Sequence, residues 1–527
     1  MKRFGKVSRR PTVRLRSASL LCIVGLLVPL VSFSPLVGVR ASLDVQQPGP
    51  YKRSLTHLDY DSWRSIQAPQ ISRDGRFVAY AFLPQDGDGE IVVRNVASGQ
   101  DWRAPRGYRP PVPPPDDPSA NVGEILAAQA RLVRPVFTAD SRFLVFSIEP
   151  TKAEVNKAKK DKKKPEEMPK NALGIMDLST GNVSRRDNVK SFQVPEDGSG
   201  FIAYLLEPKP PPPDEKKADD KSTSGGVRPT EGQPIPPTQP TASPQPGASP
   251  SASQSSASQS AEGPAKPAAR SQKKKEYGSD LVFKNVLKGN EYFFNDVLDY
   301  TLSKDAKTLV FTVSAKKEDS NGVYVVTPNP EFPDPMTAPA ALITGKGKYL
   351  KLTWDEDQTR LAFISDKNDA DAKQPKFNLY YWDRKSPQAV EAVSTASPGF
   401  RKDFVVSEKA NLSFSLDGSR LFLGTAPPPE PEKSSDEETP ADEKVLVDLW
   451  HWKDDYIQPI QRIRAEQERN KSYRAVWHVK DRKFVQLADE TMENISPSND
   501  GRYAIGSDNR QYRTMSDYNP GLSDYYL

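Results

Sequence analysis

Cysteine is almost absent from this sequence: one residue in 527, Cys22, which lies inside a leader-like apolar run. A disulfide-stapled scaffold and a thiolate nucleophile are therefore excluded for everything beyond that run. Histidine is nearly as scarce, with His57, His451 and His478 alone, so ligands for a transition metal and general bases are few. The sequence signatures of the common chemistries are missing too. There is no H-E-x-x-H, no Walker loop, no G-x-G-x-x-G opening a helix and no G-x-S-x-G elbow. The nearest lure, "DGSGF" at 197–201, lacks the elbow spacing.

Long hydrophobic runs number one, "LLCIVGLLVPLVSFSPLVGV" at 20–39. It follows a basic stretch through Arg16, is broken by Pro29 and Pro35, and ends in "VRA" with small residues at Val39 and Ala41. These are the three parts of a secretory signal, with cleavage expected after Ala41 and export to the periplasm or beyond. A lipoprotein site would want a small residue before Cys22, where Leu21 stands. The segment also explains the charge. The net +5 and pI of 8.8 suggest a phosphate-binding protein. However, residues 1–41 hold eight Lys/Arg and no acid, leaving 66 basic against 69 acidic residues in the remainder. A near-neutral body offers no bulk field for nucleic acid, and no membrane contact is expected once the leader is gone.

What the chain does have is one phrase, repeated. It reads "ISRDGRFVAYAF" (71–82), "FTADSRFLVFSI" (137–148), "VPEDGSGFIAYLL" (194–206), "LSKDAKTLVFTV" (302–313), "WDEDQTRLAFIS" (354–365), "FSLDGSRLFLGT" (414–425) and "ISPSNDGRYAIGS" (495–507). Each is an apolar residue, a polar turn centred on Asp74, Asp140, Asp197, Asp305, Asp357, Asp417 or Asp500, then a hydrophobic strand. Asp and Ser side chains bond turn backbone, and Gly takes a left-handed position without a Cβ penalty. Between these phrases lie strand–turn–strand segments at 90–105, 172–187, 281–294 and 378–393, each turning at Asp or Asn followed by Gly or Ser-Pro. Four strands per unit, repeated about seven times, predict an all-β fold: a β-propeller of about seven blades.

Insertions make the spacing irregular. Between Pro208 and Glu276 there are fifteen prolines, with Val227 and Ile235 the only large apolar residues. Such a composition cannot repay its ordering entropy, and 207–276 is expected to be a disordered insertion between propeller parts 55–206 and 277–527. Shorter insertions at 109–120, 157–170 and 427–444 are expected to behave alike, the lysine run in the second as a solvated loop. One segment breaks the β pattern: "DDYIQPIQRIRAEQERN" (454–470) predicts a short helix between strands at 445–452 and 473–479. Trp450, Trp452 and Trp477 are expected to pack at a blade interface.

Each candidate for chemistry has a structural reading. His57 has Asp59 and Asp61 nearby but no second histidine or spaced carboxylates, and His451 and His478 sit among tryptophans and strand residues. "QDGDGE" (85–90) lacks the bidentate glutamate of a calcium loop and reads as a hairpin turn. No residue is assigned a catalytic, cofactor-binding or metal-binding role, and no cofactor is expected.

Three stretches carry a resemblance: "LTHLDYDSWRSIQAPQISRDGRFVAYAFLPQDGDGEIVVRNVASGQ", "WHWKDDYIQPIQRIRAEQERNKSYRAV" and "SDYNPGLSDYYL". They resemble the N-terminal half of exported bacterial serine peptidases of the prolyl oligopeptidase family, the dipeptidyl aminopeptidase or acylaminoacyl-peptidase-like group. The resemblance implies a propeller that restricts entry to short peptides, followed by a C-terminal α/β-hydrolase domain with a Ser-Asp-His triad. None of those catalytic residues has a matching position here. The adjacent pairs Glu166-Glu167 and Glu437-Glu438 lie in charged linkers, so the amine-holding glutamate pair of the dipeptidyl branch is not supported either. On this reading the last blade stops part-way, at Leu527, before the hydrolase domain. The alternative is a stand-alone periplasmic propeller that serves as an interaction module.

Overall fold

The computed structural model describes residues 54–60, 63–109, 134–208, 276–328, 338–429, 449–515, 519 and 521–527. The leader, the cleavage site, most of 109–120, 207–276 and 427–444, and the pair Glu437-Glu438 lie outside the described residues. Everything below belongs to the compact unit Thr56–Leu527.

Each repeated phrase forms a hairpin, and each hairpin opens an antiparallel meander. Blade I is Arg64–Ile71, Phe77–Pro84, Asp88–Asn95 and Asp101–Tyr108; blade II is Val136–Phe137, Phe143–Ile148, Ala172–Asp177 and Val183–Asp187. Blade III starts with Val189–Gln193, Phe201–Leu206 and Ser279–Asn285. The twelve-residue strand Glu291–Leu302 serves two blades. Its first part closes blade III against Ser279–Asn285, and after a register shift its second part pairs with Leu309–Val313. Blade IV continues through Gly322–Val326 and Ala340–Thr344, so blades III and IV form one seven-stranded sheet. Blade V is Tyr349–Trp354, Leu361–Ser365, Asn378–Trp382 and Val390–Val393. In blade VI, Val405–Val406 and Ser413–Phe414 share the first place before Arg420–Ala426, Tyr473–His478 and Lys483–Gln486. Blade VII has three strands among the described residues: Asn494–Pro497, Ala504–Asp508 and Asp524–Tyr526. The fold is a β-propeller.

The strands are hydrophobic on both sides because blades are covered on both sides. Leu144 and Phe146 of blade II point back to Phe77, Ala79, Ala81 and Ile91 of blade I. Val145, between them, points forward to Ile202 and Tyr204 of blade III. The same alternation sends Phe201, Ala203 and Leu205 to Leu309 and Phe311, and Val310 to Leu361 and Phe363. Ala362 and Ile364 then meet Leu421, Leu423 and Trp477 of blade VI. Five cores thus fill five successive blade interfaces.

Five of the seven repeated turns share one bonding pattern, and the Asp197 carboxylate of blade III instead accepts from Arg73. Ser72 donates its hydroxyl to Asp74 at 2.7 Å and accepts the Phe77 amide at 2.9 Å, and the Arg76 amide donates to Asp74 at 3.0 Å. Thr138 and Asp140, Ser303 and Asp305, Ser415 and Asp417, and Ser498 and Asp500 repeat the hydroxyl–carboxylate bond. The left-handed residue is Gly at 75, 418 and 501 but Ser141, Ala306 and Gln358 elsewhere, all with φ between +51° and +72°. Blade V departs from expectation. Asp355 stands where five turns have Ser or Thr and blade III has Pro195, and it, not Asp357, accepts the Thr359 and Arg360 amides, both at 2.8 Å. A carboxylate at that position reaches the amides directly, so the second aspartate is not needed for the turn.

These turns also bond blade to blade, which places them on one face. The Asp74 amide donates to Ser141, Arg73 to Asp197 at 2.7 Å, and the Asp197 and Gly198 amides to the Lys304 carbonyl. The Lys304 amide donates to Gln358, Arg360 to the Gly418 carbonyl at 2.9 Å, and the Leu416 amide to the Asn499 carbonyl. The third-to-fourth-strand turns join them, as Val96, Leu178, Val286 and Val479 each donate an amide to the first turn of their own blade. These four insertions therefore spring from the opposite face, because 109–120 follows a fourth strand and the others link second to third strands. The expected turn at 85–90 is there too, between Pro84 and Asp88.

Two predictions follow from packing and turn chemistry. Phe363→Ala empties a site between blades IV and V and should cost about 3–5 kcal/mol by denaturant unfolding, whereas Ile66→Ala, at an exposed position, should cost less than about 0.5 kcal/mol. Partial burial pushes the Asp74 carboxyl up, but the Ser72 hydroxyl, the Arg76 amide and the Arg76 guanidinium outweigh it and bring it to about 2, from 3.8. The Ser415 and Ser498 hydroxyls likewise lower Asp417 and Asp500. Depressed carboxylates stabilise the fold above their unfolded range and cease to as pH falls through the folded value. Melting temperature should drop as pH falls from about 4 to 2, with a shallower slope in Asp74→Asn.

Candidate interaction face

The insertion face carries nearly all the uncommitted chemistry, beginning with a seam between blades I and II. Gly107, at φ +85°, passes so close to Glu149 that a Cβ would meet its carbonyl. The neighbouring Arg106 side chain is 1% exposed and pairs with Glu149 at 3.3 Å, while Arg109 reaches the same carboxylate at 3.5 Å. Burial pulls the Arg106 guanidinium below its ordinary range, and Glu149 opposes that pull.

Beside this seam the lysine run is not the expected loop. Residues 152–160 form a helix, and Pro165–Glu167 a single 3-10 turn. The helical turn His57–Tyr60 is α1, Lys152–Lys160 is α2 and Gln458–Arg469 is α3. α2 is fixed by local chemistry that outweighs its charge: Thr151 and Glu154 form a reciprocal capping box, and Ala158 is buried against the body. Lys152 donates its ammonium to Asp86 and its amide to Asp88, at 2.6 and 2.8 Å.

α3 matches the helix expected within 454–470. It buries no residue. It is held instead by polar bonds: Gln461 to Asp454 at 3.0 Å, Arg464 over the Tyr456 ring at 4.3 Å, and Arg513 of blade VII to Asp455 at 3.0 Å. Arg513 also pairs with Glu493 at 2.7 Å, and Lys471, just after α3, with Glu493 at 2.9 Å. A second clamp joins the blade V–VI and VI–VII connections, where Arg401 binds Glu490 through two nitrogens and stacks over Phe404.

The tryptophans divide. Trp477 is 2% exposed in the core between blades V and VI, as expected. Trp450 and Trp452 are 63% and 80% exposed, so the expectation of interface packing fails for both. The described part of the preceding segment, Leu449–Trp452, is not a strand; Val445–Asp448 lie outside the described residues. Without a strand, nothing turns these rings inward. Leu449, Ile457 and Ile463 in the same segment are exposed as well.

The histidines are not gathered together. His57 is in α1, His451 is exposed and accepts the Lys453 amide, and His478 pairs across its hairpin with Arg420 and Lys483. Asp59 caps the Thr56 amide; Asp61 lies outside the described residues. Glu166 and Glu167 are exposed in their 3-10 turn. Among the described residues no three His, Cys, Asp or Glu side chains are grouped to hold a metal, and no helix is long and apolar enough to cross a membrane.

No protein-family model matches the chain, and no curated protein matches it. Solved structures similar to it include one from work on two prolyl endopeptidases, at 12% identity and TM-score 0.34, matching over 85% of this chain and 46% of that one. The acylaminoacyl peptidase of Pyrococcus horikoshii matches at 9% and 0.30, over 85% and 50%. The β-propeller domain of the trilobed protease of Pyrococcus furiosus matches at 9% and 0.30, over 85% and 91%. The chain spans about half the length of the first two.

Because Trp450 and Trp452 bury little on folding, Trp450→Ala and Trp452→Ala should each change unfolding free energy by less than about 0.5 kcal/mol. Trp477→Ala should cost about 3–5 kcal/mol in the same denaturant titration.

Proposed function

We propose that this chain supplies the β-propeller of an exported bacterial serine peptidase of the prolyl oligopeptidase type. Peptide-bond hydrolysis is then the work of an α/β-hydrolase domain outside these 527 residues. The propeller is non-catalytic and restricts which peptides reach the reacting serine. In this reading the leader is removed after Ala41 and the mature protein works in the periplasm or beyond.

The observation that carries the reading is the exposure of 449–463. Within residues 450–476, one of the stretches with family-specific wording, the helix α3 and two tryptophans are presented to the outside, although neither is needed by the blades. Sequence kept for folding is buried; here large apolar side chains are held in the open by Arg513, Asp455 and Gln461. Exposed apolar side chains in one segment suit contact with an apolar peptide or with the wall of a second domain.

Antibody capture of the native protein, followed by labelling with a fluorophosphonate serine probe, tests the proposal. A probe-reactive species longer than this chain that cleaves short peptides is the expected result. A native species of 58.5 kDa or less that ignores the probe and co-purifies with other proteins would overturn it in favour of a stand-alone interaction propeller.

A further inference from the structure

We propose that α2 and the turn after it form a docking surface for the anionic headgroups of a phospholipid bilayer. Of the eight lysines in 151–170, Lys152 and Lys170 are paired, with Asp86 and Glu207. Lys157, Lys159, Lys160, Lys162, Lys163 and Lys164 are exposed, and no carboxylate among the described residues pairs with them. Glu154, which keeps its charge in the capping box, and Asp161, Glu166 and Glu167 offset four of these six. A surplus of two positive charges remains, with Lys157, Lys159 and Lys160 on the capped helix and Lys162, Lys163 and Lys164 in the turn that follows it.

Charge complementarity therefore calls for an anionic partner, and the residue types select among such partners. Residues 151–170 contain no arginine and no aromatic residue. Nucleic-acid sites rely on bidentate arginine and stacking rings, and protein interfaces are depleted in lysine at their centres. A fluid array of headgroups needs neither shape nor stacking, only charge density, and can rearrange to meet the lysines. The apolar side of α2, through Ala158 and Val155, faces the protein body, so attachment is electrostatic, without insertion. This departs from the expectation that no membrane is engaged after leader removal, which rested on reading the run as a loop.

The full chain should sediment with vesicles of 30% phosphatidylglycerol in phosphatidylcholine at low salt, and not with phosphatidylcholine alone. Each lysine near the surface contributes about fivefold in affinity, so replacing all six by glutamine should weaken binding at least about a hundredfold, and 0.5 M salt should have a similar effect. Because residues 1–41 are also basic, a second readout is local. Acetylation of the six lysines by a water-soluble amine reagent should be suppressed by the anionic vesicles alone. Unchanged acetylation, equal binding by the glutamine variant, or tighter binding to RNA or an acidic polypeptide than to the vesicles would each overturn the proposal.

Discussion

Blade packing governs this molecule: the interior blades must be covered on both faces. With side chains alternating along each strand, residues of one parity belong to the interface behind and those of the other to the interface ahead. Val145 and Phe146 are neighbours in sequence yet lie in different cores. A one-residue slip in any interior strand would exchange the two sets, so register is fixed twice over. That demand explains the near-continuous apolar runs and the bulges that adjust register where the first strands bend, as at Asp296 and Lys351.

With strand faces consumed by packing, polar chemistry is left to the two ends of the blades, and the ends are unequal. On one, short aspartate turns bond to the next blade through Lys304, Arg360 and Leu416. Residues added to these first-to-second-strand turns would break bonds in two blades at once, whereas the longer link 327–339 joins the third and fourth strands of blade IV. The other end has ion pairs such as Arg401–Glu490 and Lys152–Asp86, which tolerate spacing between their anchor points.

What could be read in the sequence follows the range of the interactions. The aspartate turns and the Asn95, Asp177, Asn285 and Asp383 turns are closed by bonds within a few residues, and they were legible. So was α3, from isoleucines at threefold spacing. Asp355 was passed over because it occupies a serine position, and its role shows only once the Thr359 and Arg360 amides are seen to converge on it. In α2, lysine content masked a local signal that was there to be read: Thr151 and Glu154 in "TKAE" are the capping box. Trp450 and Trp452 misled for the opposite reason. Large aromatics default to cores, and only the absence of a strand at 449–452 places them outside.

Energetics explain why the insertions collect where they do. The link between second and third strands is three residues in blade I, Gln85–Gly87, and seventy-two in blade III, from Glu207 to Gly278. Loop-closure entropy grows only with the logarithm of length, so that difference costs about 3 kcal/mol. The cost is comparable to emptying one buried aromatic site, and five interblade cores hold many such sites. An insertion on this face therefore leaves the blades intact, while the same residues in the first-to-second-strand turns would sever blade-to-blade bonds. Length, charge and exposed aromatics can vary on one side at a cost the blades can bear, and α2 and the exposed tryptophans are both found there.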